Sequence, residues 1–415
     1  MKACVFTLGC KQNEVESASL MRGLEARGFE VTDELGEADL YLLNTCAVTA
    51  EAERKSRQAI GRMRKFNAEA PVVVCGCASQ NNPAAFAEKE GVVRVAGAMR
   101  KDKVLALIDE ILSDSGIQTE VDFSNEPAFC ELPTPSRTKT RAYLRVQDGC
   151  NNFCSYCLIP YLRGRSRSRA LARVVEEAQT CGAKEIVLTG IDLSSYRDGA
   201  SDLGDLLLAL KDVPARIRLG SLETGIVSEE FLQKAKAAGN VAPHFHLSLQ
   251  SGSTRVLRAM NRHYTRGEYL AACARIYEAF PHAAITTDII VGFPTEEEAD
   301  FEESLSIVRE AGFAKVHAFP FSRREGTNAA KLKDLSATVK KARMERMLAA
   351  CREAEEKYIS RFIGSTLTAL FEEDGGYTEN YIRVFNQTAN EGTMYEVRLT
   401  EMCAGGAKCE IIREV

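Results

Sequence analysis

The chain has 415 residues, a net charge of −5 and 45% hydrophobic residues, which predicts two or three domains with buried cores. The sequence contains no run near the roughly 18 apolar residues of a membrane helix, and its start, MKACVFTLGCKQNE, reaches charge too early for a secretory signal. Its fourteen cysteines therefore favour a cytoplasmic enzyme with reduced thiols for metal binding or catalysis over a disulfide-stabilised secreted protein.

Residues 1–115 alternate between strand and helix patterns, which predicts an N-terminal α/β domain built on a parallel sheet. The expected strands are 3–8, 40–44, 72–74 and 92–96, and the expected helices lie near 15–28, 50–66, 83–90 and 101–113. The helix at 50–66 carries a run of basic residues, among them Arg57 and Arg62. Such a run is more often a solvated face, but here it directly follows a cysteine.

Cysteines follow the first three of these strands: Cys10 in TLGCKQN, Cys46 in LNTCAVT and Cys77 in CGCASQ. Because the carboxyl ends of parallel strands share one edge, the three thiols can converge there and hold an iron–sulphur cube with one open iron. The alternative is that they are small buried loop residues. Cys75 could replace Cys77 as the ligand, but we expect Cys75 to end its strand and to point into the layer beneath.

A linker at 116–139, with three prolines and few periodic apolar residues, separates this domain from a second βα series at 140–355. The expected strands of the series are 143–146, 185–189, 216–220, 244–249, 286–291 and 315–319. Six strands with helices between them predict an open, partial (βα)6 barrel, whose active site lies at the carboxyl ends of the strands.

Three cysteines, Cys150, Cys154 and Cys157, follow the first of these strands as C-x3-C-x2-C in GCNNFCSYC. Three thiolates are one too few for an ordinary four-cysteine cluster, so one iron stays open for a small molecule. In radical enzymes this molecule is S-adenosylmethionine (SAM), whose amino and carboxylate groups chelate that iron. The alternative is a structural zinc site with a fourth ligand from elsewhere, although the nearest histidine, His244, lies far downstream.

Five further residues are candidate contacts for SAM. Tyr156 lies just before the last cysteine of the motif, where its backbone can meet an adenine ring. The others lie at or beyond the ends of later strands: Gly190, Glu223, Gln250 and Gly292. The glycines would admit close backbone approach, and Glu223 would accept hydrogen bonds from ribose hydroxyls. The alternative for the glycines is an ordinary turn.

The segment around the motif is strongly basic, with nine Lys or Arg residues and one acid, Asp148, between residues 137 and 173. A basic surface beside metal-type cysteines would bring a polyanion to the chemistry. The candidate contacts to nucleic acid are Arg57, Arg62, Arg163, Arg165, Arg167 and Arg169.

After an amphipathic helix near 335–362, short β-branched and aromatic runs within 356–415 predict a small antiparallel β-barrel. This stretch has ten acids and six bases, so any contact with RNA there must be local, for example through Arg383 and Arg398. We interpret Cys403 and Cys409 as structural, because no third ligand accompanies them.

Over essentially its whole length the chain resembles the radical-SAM methylthiotransferases. TLGCKQN, LNTCAVT and GCASQ resemble the segments with the family's auxiliary-cluster cysteines, and GCNNFCSYCLIPYLRGRSRSR resembles its radical-SAM segment. HLSLQSGSTRVLRAMNRHYTR and DIIVGFPTE resemble further stretches of that domain, and the C-terminal barrel lies where the family has its TRAM domain, an RNA-binding module. RGRSRSR is most similar to the branch that acts on N6-threonylcarbamoyladenosine at tRNA position 37.

The resemblance implies that Cys10, Cys46 and Cys77 bind an auxiliary [4Fe-4S] cluster and that Cys150, Cys154 and Cys157 bind the radical-SAM cluster. It implies replacement of the hydrogen at carbon 2 of adenine by a methylthio group, with one SAM as methyl donor and a second as the source of a 5′-deoxyadenosyl radical. It also implies tRNA as the partner that is modified, a sulphur source, a flavodoxin-like electron donor and no membrane.

We expect one of Arg165, Arg167 and Arg169 to bind the carboxylate of the threonylcarbamoyl group through two parallel hydrogen bonds. The alternative is that all three bind phosphate or solvent. Two positions depart from the family's pattern: Asp192 replaces an expected histidine and is assigned no role, and SLETG lacks the proline expected after Glu223. Rival functions are a methylthiotransferase for isopentenyladenosine tRNA or a ribosomal-protein aspartate and, more distantly, a non-enzymatic metal-containing RNA-binding protein.

Overall fold

A computed structural model describes residues 1–112, 118–120, 128–133 and 140–415. Its contacts divide the chain into two compact units. The first comprises Met1–Thr138, Gln147–Arg169 and Ser322–Thr327, and the second comprises Lys139–Val146, Ala170–Phe321 and Asn328–Val415. Most of the expected linker lies outside the described residues. No helix within the described ranges is both long and apolar enough to cross a membrane.

A six-stranded parallel sheet forms the centre of the first unit, in the order β2-β1-β3-β4-β5-β6. The strands are β1 (Lys2–Thr7), β2 (Glu30–Thr32), β3 (Leu40–Thr45), β4 (Val72–Gly76), β5 (Val92–Ala96) and β6 (Gln118–Glu120). The helices are α1 (Lys11–Glu25), α2 (Ala50–Phe66), α3 (Cys77–Asn81), α4 (Ala84–Ala87) and α5 (Asp102–Leu112). Every residue of β3 and β4 is buried, as expected for parallel strands that helices cover on both faces. The predicted parallel sheet is confirmed.

The chain then forms β7 (Arg141–Arg145) of the second unit and returns to the first unit as the cysteine loop, residues 147–169. This loop contains β8 (Gln147–Asp148), α6 (Ile159–Leu162) and β9 (Arg167–Ser168). The strands β8 and β9 pair antiparallel, with Asp148 opposite Arg167. Although the sequence groups the loop with the second βα series, it packs with the N-terminal sheet.

Two hydrophobic clusters cover the faces of the N-terminal sheet. One contains residues of α1 and α5, including Leu20, Leu24, Val104 and Ile108. The other contains residues of α2, α4 and the cysteine loop, including Ile60, Met63, Phe86, Leu158 and Leu162. Leu158 and Leu162 of the cysteine loop are therefore part of the N-terminal core.

The second unit continues the βα series with two parallel sheets, in the orders β13-β10-β7 and β14-β15-β16-β17. Its strands up to the last helix are β10 (Glu185–Thr189), β11 (Arg197–Asp198), β12 (Ser201–Asp202), β13 (Arg216–Leu219), β14 (Ser221–Leu222), β15 (His244–Leu247), β16 (Ala284–Val291) and β17 (Lys315–Pro320). Its helices are α7 (Leu171–Cys181), α8 (Leu203–Ala209), α9 (Glu229–Ala238), α10 (Thr254–Ala259), α11 (Arg266–Ala279), α12 (Glu298–Glu310) and α13 (Ala337–Ser360). All six predicted strands are present, and a bridge between Ile217 and Val241 lies between the two sheets.

A closed barrel of five strands ends the chain, in the order β18-β19-β20-β22-β21. The strands are β18 (Thr366–Glu372), β19 (Gly375–Thr378), β20 (Arg383–Phe385), β21 (Met394–Cys403) and β22 (Gly406–Glu414). The predicted small barrel is confirmed, with parallel pairing only between β20 and β22 among its described pairs.

One buried carboxylate joins the βα series to this barrel. Glu185 is fully buried and pairs with Arg141 at 2.7 Å, Arg216 at 2.5 Å and Arg218 at 2.8 Å. Arg216 also donates to the carbonyl of Thr368, and Arg218 to the carbonyl of Thr378. The β10 carboxylate thus fixes two arginines whose remaining N–H groups bind barrel backbone.

Candidate iron–sulphur and SAM site

The three N-terminal cysteines lie at the carboxyl ends of neighbouring strands. Cys10 precedes α1, Cys46 follows β3, and Cys77 is the first residue of α3 after β4. Burial raises the pKa of Cys46 to about 11, and its electrostatic neighbours include Cys77 and Cys10. The three thiols therefore share one edge of the sheet, close enough to influence one another.

The loops around these cysteines are tied together through Asn13 and Gly9. The Asn13 amide donates to the carbonyls of Leu8 and Thr45, at 2.9 and 3.0 Å. Gly9 has a φ of +127°, and a Cβ there would come within 3.2 Å of the Cys46 sulphur. A glycine is required because it permits both this backbone conformation and the close approach.

Cys75 and Cys77 lie on opposite faces of the sheet. Cys75 belongs to the cluster with α1 and α5, whereas Cys77 belongs to the cluster with α2 and the cysteine loop. Burial raises the pKa of Cys75, and Lys101 is the largest influence that opposes this shift. Cys10 influences the pKa of Cys77, so Cys77 lies towards the edge of the sheet that Cys10 shares.

The second triad, Cys150, Cys154 and Cys157, lies in the cysteine loop between β8 and α6. Gly149 begins the turn with a φ of +70°, and a Cβ there would come within 2.0 Å of the Arg165 carbonyl oxygen. Cys154 is buried, and its carbonyl accepts a hydrogen bond from the N–H of Cys157 at 3.0 Å. Because the cysteine loop is part of the first unit, both cysteine triads belong to that unit.

Backbone N–H groups point at several of these sulphurs. The Cys150 sulphur accepts from Asn152 at 3.4 Å, that of Cys157 from Ile159 at 3.4 Å, and that of Cys46 from Val48 at 3.5 Å. In each case the donor lies two residues after the cysteine. Hydrogen bonds to sulphur stabilise thiolates and tune the potentials of iron–sulphur clusters.

Two observations test whether an iron–sulphur group fits. Among the described residues, no group of three or more His, Cys, Asp or Glu side chains is placed to hold a metal ion. A cube instead spreads its thiolates over different iron atoms, and both triads offer only sulphur donors. Gln12, 3% exposed and two residues after Cys10, has neither amide atom hydrogen-bonded within the part of the chain that the structure describes. Since buried amides normally have partners, this position fits a polar group bound beside Cys10.

The candidate SAM residues of the second unit follow β10, β14, β15 and β16. The Gln250 backbone, with a φ of +70°, donates to Asp288 and accepts from Ile290, so it is fixed against β16. Gly292 has a φ of +77° and donates to the Glu296 carboxylate at 3.0 Å. Gly190 is half-buried, and Tyr156 of the first unit is also half-buried.

Glu223 is an ion-pair partner of Arg262. Burial raises the pKa of the Glu223 carboxyl, and Arg262 opposes that shift while Asp192 reinforces it. Arg262 therefore orients the Glu223 carboxyl at the end of β14.

Two arginines predicted to contact tRNA lie inside the protein. Arg163 is fully buried and pairs with Glu16 at 2.6 Å and Asp148 at 3.2 Å. Arg167 is buried and pairs with Asp148 at 2.8 Å. Neither guanidinium is exposed to a phosphate. No sequence pattern marks Glu16 as the partner of Arg163, because it lies among other polar residues at the start of α1.

The other candidate arginines differ in exposure. Arg169 is buried and pairs with Glu131 at 2.9 Å, and Arg57 is half-buried and pairs with Glu53 at 2.8 Å. Arg62 is exposed and lies over the Phe6 ring at 5.7 Å. Arg165 is exposed and lies over the Phe153 ring at 4.4 Å. Of the arginines in the cysteine loop, Arg165 is the one exposed to a ligand in solution.

Family models match two parts of the chain. The model described as uncharacterized protein family UPF0004 matches residues 2–97, and that of the radical SAM superfamily matches residues 144–308. The radical SAM methyltransferase TsrM from Kitasatospora setae, solved with cobalamin and a [4Fe-4S] cluster, has a similar fold. Its TM-score is 0.61 at 17% identity, over 79% of this chain and 77% of that one.

Curated relatives extend over most of the chain. The threonylcarbamoyladenosine tRNA methylthiotransferase MtaB of Bacillus subtilis (strain 168) is 35% identical over 400 residues, 91% of this chain and 88% of its own length. The tRNA-2-methylthio-N(6)-dimethylallyladenosine synthase of Staphylococcus haemolyticus is also 35% identical over 400 residues, 90% of this chain and 77% of its own length. The predicted family is thereby confirmed: the chain belongs to the radical-SAM methylthiotransferases, as a relative of the MtaB type.

Proposed function

We propose that this enzyme inserts a methylthio group at carbon 2 of N6-threonylcarbamoyladenosine at tRNA position 37. The single observation that carries the choice of substrate is Arg165, an exposed guanidinium in the loop that also holds Cys150, Cys154 and Cys157. Its position suits the carboxylate of the threonylcarbamoyl group. The name of the Bacillus relative agrees with this substrate.

Two [4Fe-4S] clusters and SAM are part of the proposal. Cys10, Cys46 and Cys77 would hold the auxiliary cluster, and Cys150, Cys154 and Cys157 the radical-SAM cluster. When bound, these groups would supply a 5′-deoxyadenosyl radical from one SAM and a sulphur, from the separate sulphur source, that a second SAM methylates. SAM would be bound by Tyr156, Gly190, Glu223, Gln250 and Gly292. A flavodoxin-like protein would supply the electrons, and a separate compound would supply the sulphur.

A second candidate substrate is isopentenyladenosine tRNA, because the Staphylococcus synthase is as similar to this chain as the Bacillus enzyme. This nucleoside lacks the carboxylate, so Arg165 would then have no ionic partner on the base.

Nucleoside mass spectrometry tests the proposed function. Reconstituted enzyme, SAM, a sulphur source and dithionite are incubated anaerobically with threonylcarbamoylated or isopentenylated tRNA. We expect a product heavier by one sulphur and one CH2 from the first tRNA, with 5′-deoxyadenosine formed alongside. Product from isopentenylated tRNA alone would establish the second candidate. If 5′-deoxyadenosine forms with neither tRNA modified, a ribosomal-protein aspartate becomes the substrate to test.

Replacing Arg165 by glutamine separates carboxylate recognition from general tRNA binding. A charge-assisted hydrogen bond contributes about 1.5–3 kcal/mol, so we expect kcat/KM on threonylcarbamoylated tRNA to fall about tenfold or more. Affinity for isopentenylated tRNA should change by less than about twofold. Arg62→Gln is the matched control for the loss of an exposed guanidinium, because Arg62 also lies above an aromatic ring. An equal loss of affinity for both tRNAs in the Arg165 variant would contradict the carboxylate assignment.

A further inference from the structure

Two exposed side chains of the cysteine loop, Tyr161 and Arg165, meet the same aromatic ring. The ring belongs to Phe153, which precedes Cys154 in the second triad. The Tyr161 ring meets it edge to face, with centroids 5.5 Å apart and an angle of 78° between the planes. The Arg165 guanidinium lies over it at 4.4 Å from the centroid. Both kinds of contact are attractive, so Phe153, Tyr161 and Arg165 form one surface, called here the loop platform.

The hydrophobic core holds the loop platform in place but does not contain its outer ring. Leu158 and Leu162, on either side of Tyr161 in the sequence, are both buried in the core of the N-terminal sheet. Tyr161 itself is 56% exposed. The short helix α6 therefore presents a tyrosine ring that core packing does not require, on a segment that the two leucines fix.

The charge of Arg165 is also available to a ligand. Arg163, Arg167 and Arg169 of the same loop each form an ion pair with a carboxylate. Arg165 has no such partner among the residues that the structure describes, and its side chain is exposed. The loop platform thus offers an aromatic ring to a flat group and, beside it, a cation to an anion.

An anticodon loop with N6-threonylcarbamoyladenosine has both of these chemical features. Its loop bases are unpaired, and proteins bind unpaired RNA bases by stacking them on aromatic side chains. Its modified nucleoside carries the carboxylate that the proposed function assigns to Arg165. A single exposed tyrosine would need no explanation, but an exposed tyrosine joined to that arginine in the loop of the second triad matches this substrate.

We propose that Tyr161 stacks on an unpaired base next to adenosine 37 and so positions the anticodon loop at the second triad. Phe153 sets the place of the Tyr161 ring relative to Arg165, and the base and the carboxylate are held side by side. This inference rests on the tRNA substrate of the proposed function. Because stacking does not involve the carboxylate, Tyr161 should contribute equally to the binding of threonylcarbamoylated and isopentenylated tRNA, unlike Arg165.

The test uses the full chain with its clusters reconstituted, and anticodon stem-loop RNA. The RNA carries 2-aminopurine, a fluorescent base that stacking quenches, at the position before or after adenosine 37. With the RNA fully bound, we expect one of the two probes to be brighter in the complex of Tyr161→Ala than in that of the wild type. Anaerobic fluorescence anisotropy should show about tenfold weaker binding of both modified RNAs by the variant, as for the loss of one stacked base.

Two variants are controls for this change. Tyr161→Phe keeps the ring and should keep the wild-type fluorescence and affinity. Phe66→Ala removes another aromatic side chain of the first unit, 50% exposed, and should change neither quantity. Iron content and thermal unfolding should be unchanged in Tyr161→Ala, because the ring lies outside the core. If that variant does not fold, Tyr161→Leu, which keeps an apolar side chain, still predicts the loss of quenching.

Each result bears on a different part of the proposal. Lost quenching and affinity in Tyr161→Ala, with both kept in Tyr161→Phe, supports the inference. Unchanged fluorescence at both positions overturns the inference and leaves the proposed function intact. Normal RNA binding with slower formation of 5′-deoxyadenosine, only when flavodoxin replaces dithionite, also overturns it and makes the loop platform a docking surface for the electron donor. Failure of the wild type to bind either modified RNA overturns the tRNA substrate and the inference with it.

Discussion

Replacing Cys154 by alanine is expected to abolish both 5′-deoxyadenosine and methylthiolated tRNA, whereas replacing Cys77 by alanine should abolish only the methylthiolated tRNA. The reason is that the two triads have different proposed roles. Cys154 would hold the cluster that cleaves SAM, and Cys77 would hold the cluster that binds the sulphur. Both products are measured by mass spectrometry in one anaerobic reaction. Each variant should also lose about four of about eight irons.

Cys181→Ala is the control for these variants. Cys181 ends α7, and its thiol donates to the Ala178 carbonyl at 3.3 Å, so its loss should leave iron content and both products unchanged. Loss of 5′-deoxyadenosine in the Cys77 variant would contradict separate roles for the two triads. Full methylthiolation by the Cys77 variant would remove Cys77 from the ligand set, and Cys75 would be tested next.

Replacing Glu185 by glutamine is expected to lower the free energy of unfolding of the second unit by about 3 kcal/mol at pH 7. Glu185 is fully buried and is shared by Arg141, Arg216 and Arg218. The substitution keeps the shape of the side chain but leaves three buried cations without this counter-charge, and breaking a buried ion pair costs about 3–5 kcal/mol. Thermal and urea unfolding, followed by circular dichroism, measure the loss.

The same carboxylate predicts how stability depends on pH. Burial alone would raise the pKa of Glu185, but Arg218 and Arg216 outweigh it and lower the pKa to about 2. Because the folded-state pKa is below that of the unfolded chain, the stabilisation is present at neutral pH and is lost as pH falls from about 4.5 towards 2. The difference between wild type and Glu185→Gln should therefore shrink over that range.

Glu372→Gln serves as the comparison, since Glu372 pairs only with Arg141 among the described ion pairs and is 34% exposed. We expect a loss below about 1 kcal/mol for this more solvated pair. A Glu185 variant no less stable than the Glu372 variant would show that the arginines find other partners.

The strands that the sequence predicted share one property: each contains several consecutive buried or alternating apolar residues. β3, with LYLLNT buried throughout, is an example. The strands β2 and β6 escaped prediction because each has three residues, EVT and QTE, without an apolar run. A local sequence pattern predicts secondary structure only where the pattern is long enough to show its period.

In the candidate site, too, the sequence predicts local features and misses those that depend on distant residues. The spacing of Cys150, Cys154 and Cys157 is local, so the sequence alone shows it. The burial of Arg163 could not be predicted, because its partner Glu16 is 147 residues away. Nothing in a basic run distinguishes an arginine that binds phosphate from one that is buried with a distant carboxylate. Whether an arginine side chain is exposed to a ligand, as that of Arg165 is, depends on the tertiary structure.

The position of Leu158 and Leu162 in the core of the N-terminal sheet has a consequence for synthesis on the ribosome. A nascent chain that has grown only to residue 115 contains every long strand of that sheet but lacks the two leucines that cover part of one face. The apolar surface beside Cys77 then stays open until the cysteine loop has left the exit tunnel. We therefore expect folding of the N-terminal sheet to be completed only after the second triad has been translated, and a fragment cut at the end of the first βα series to expose an aggregation-prone surface.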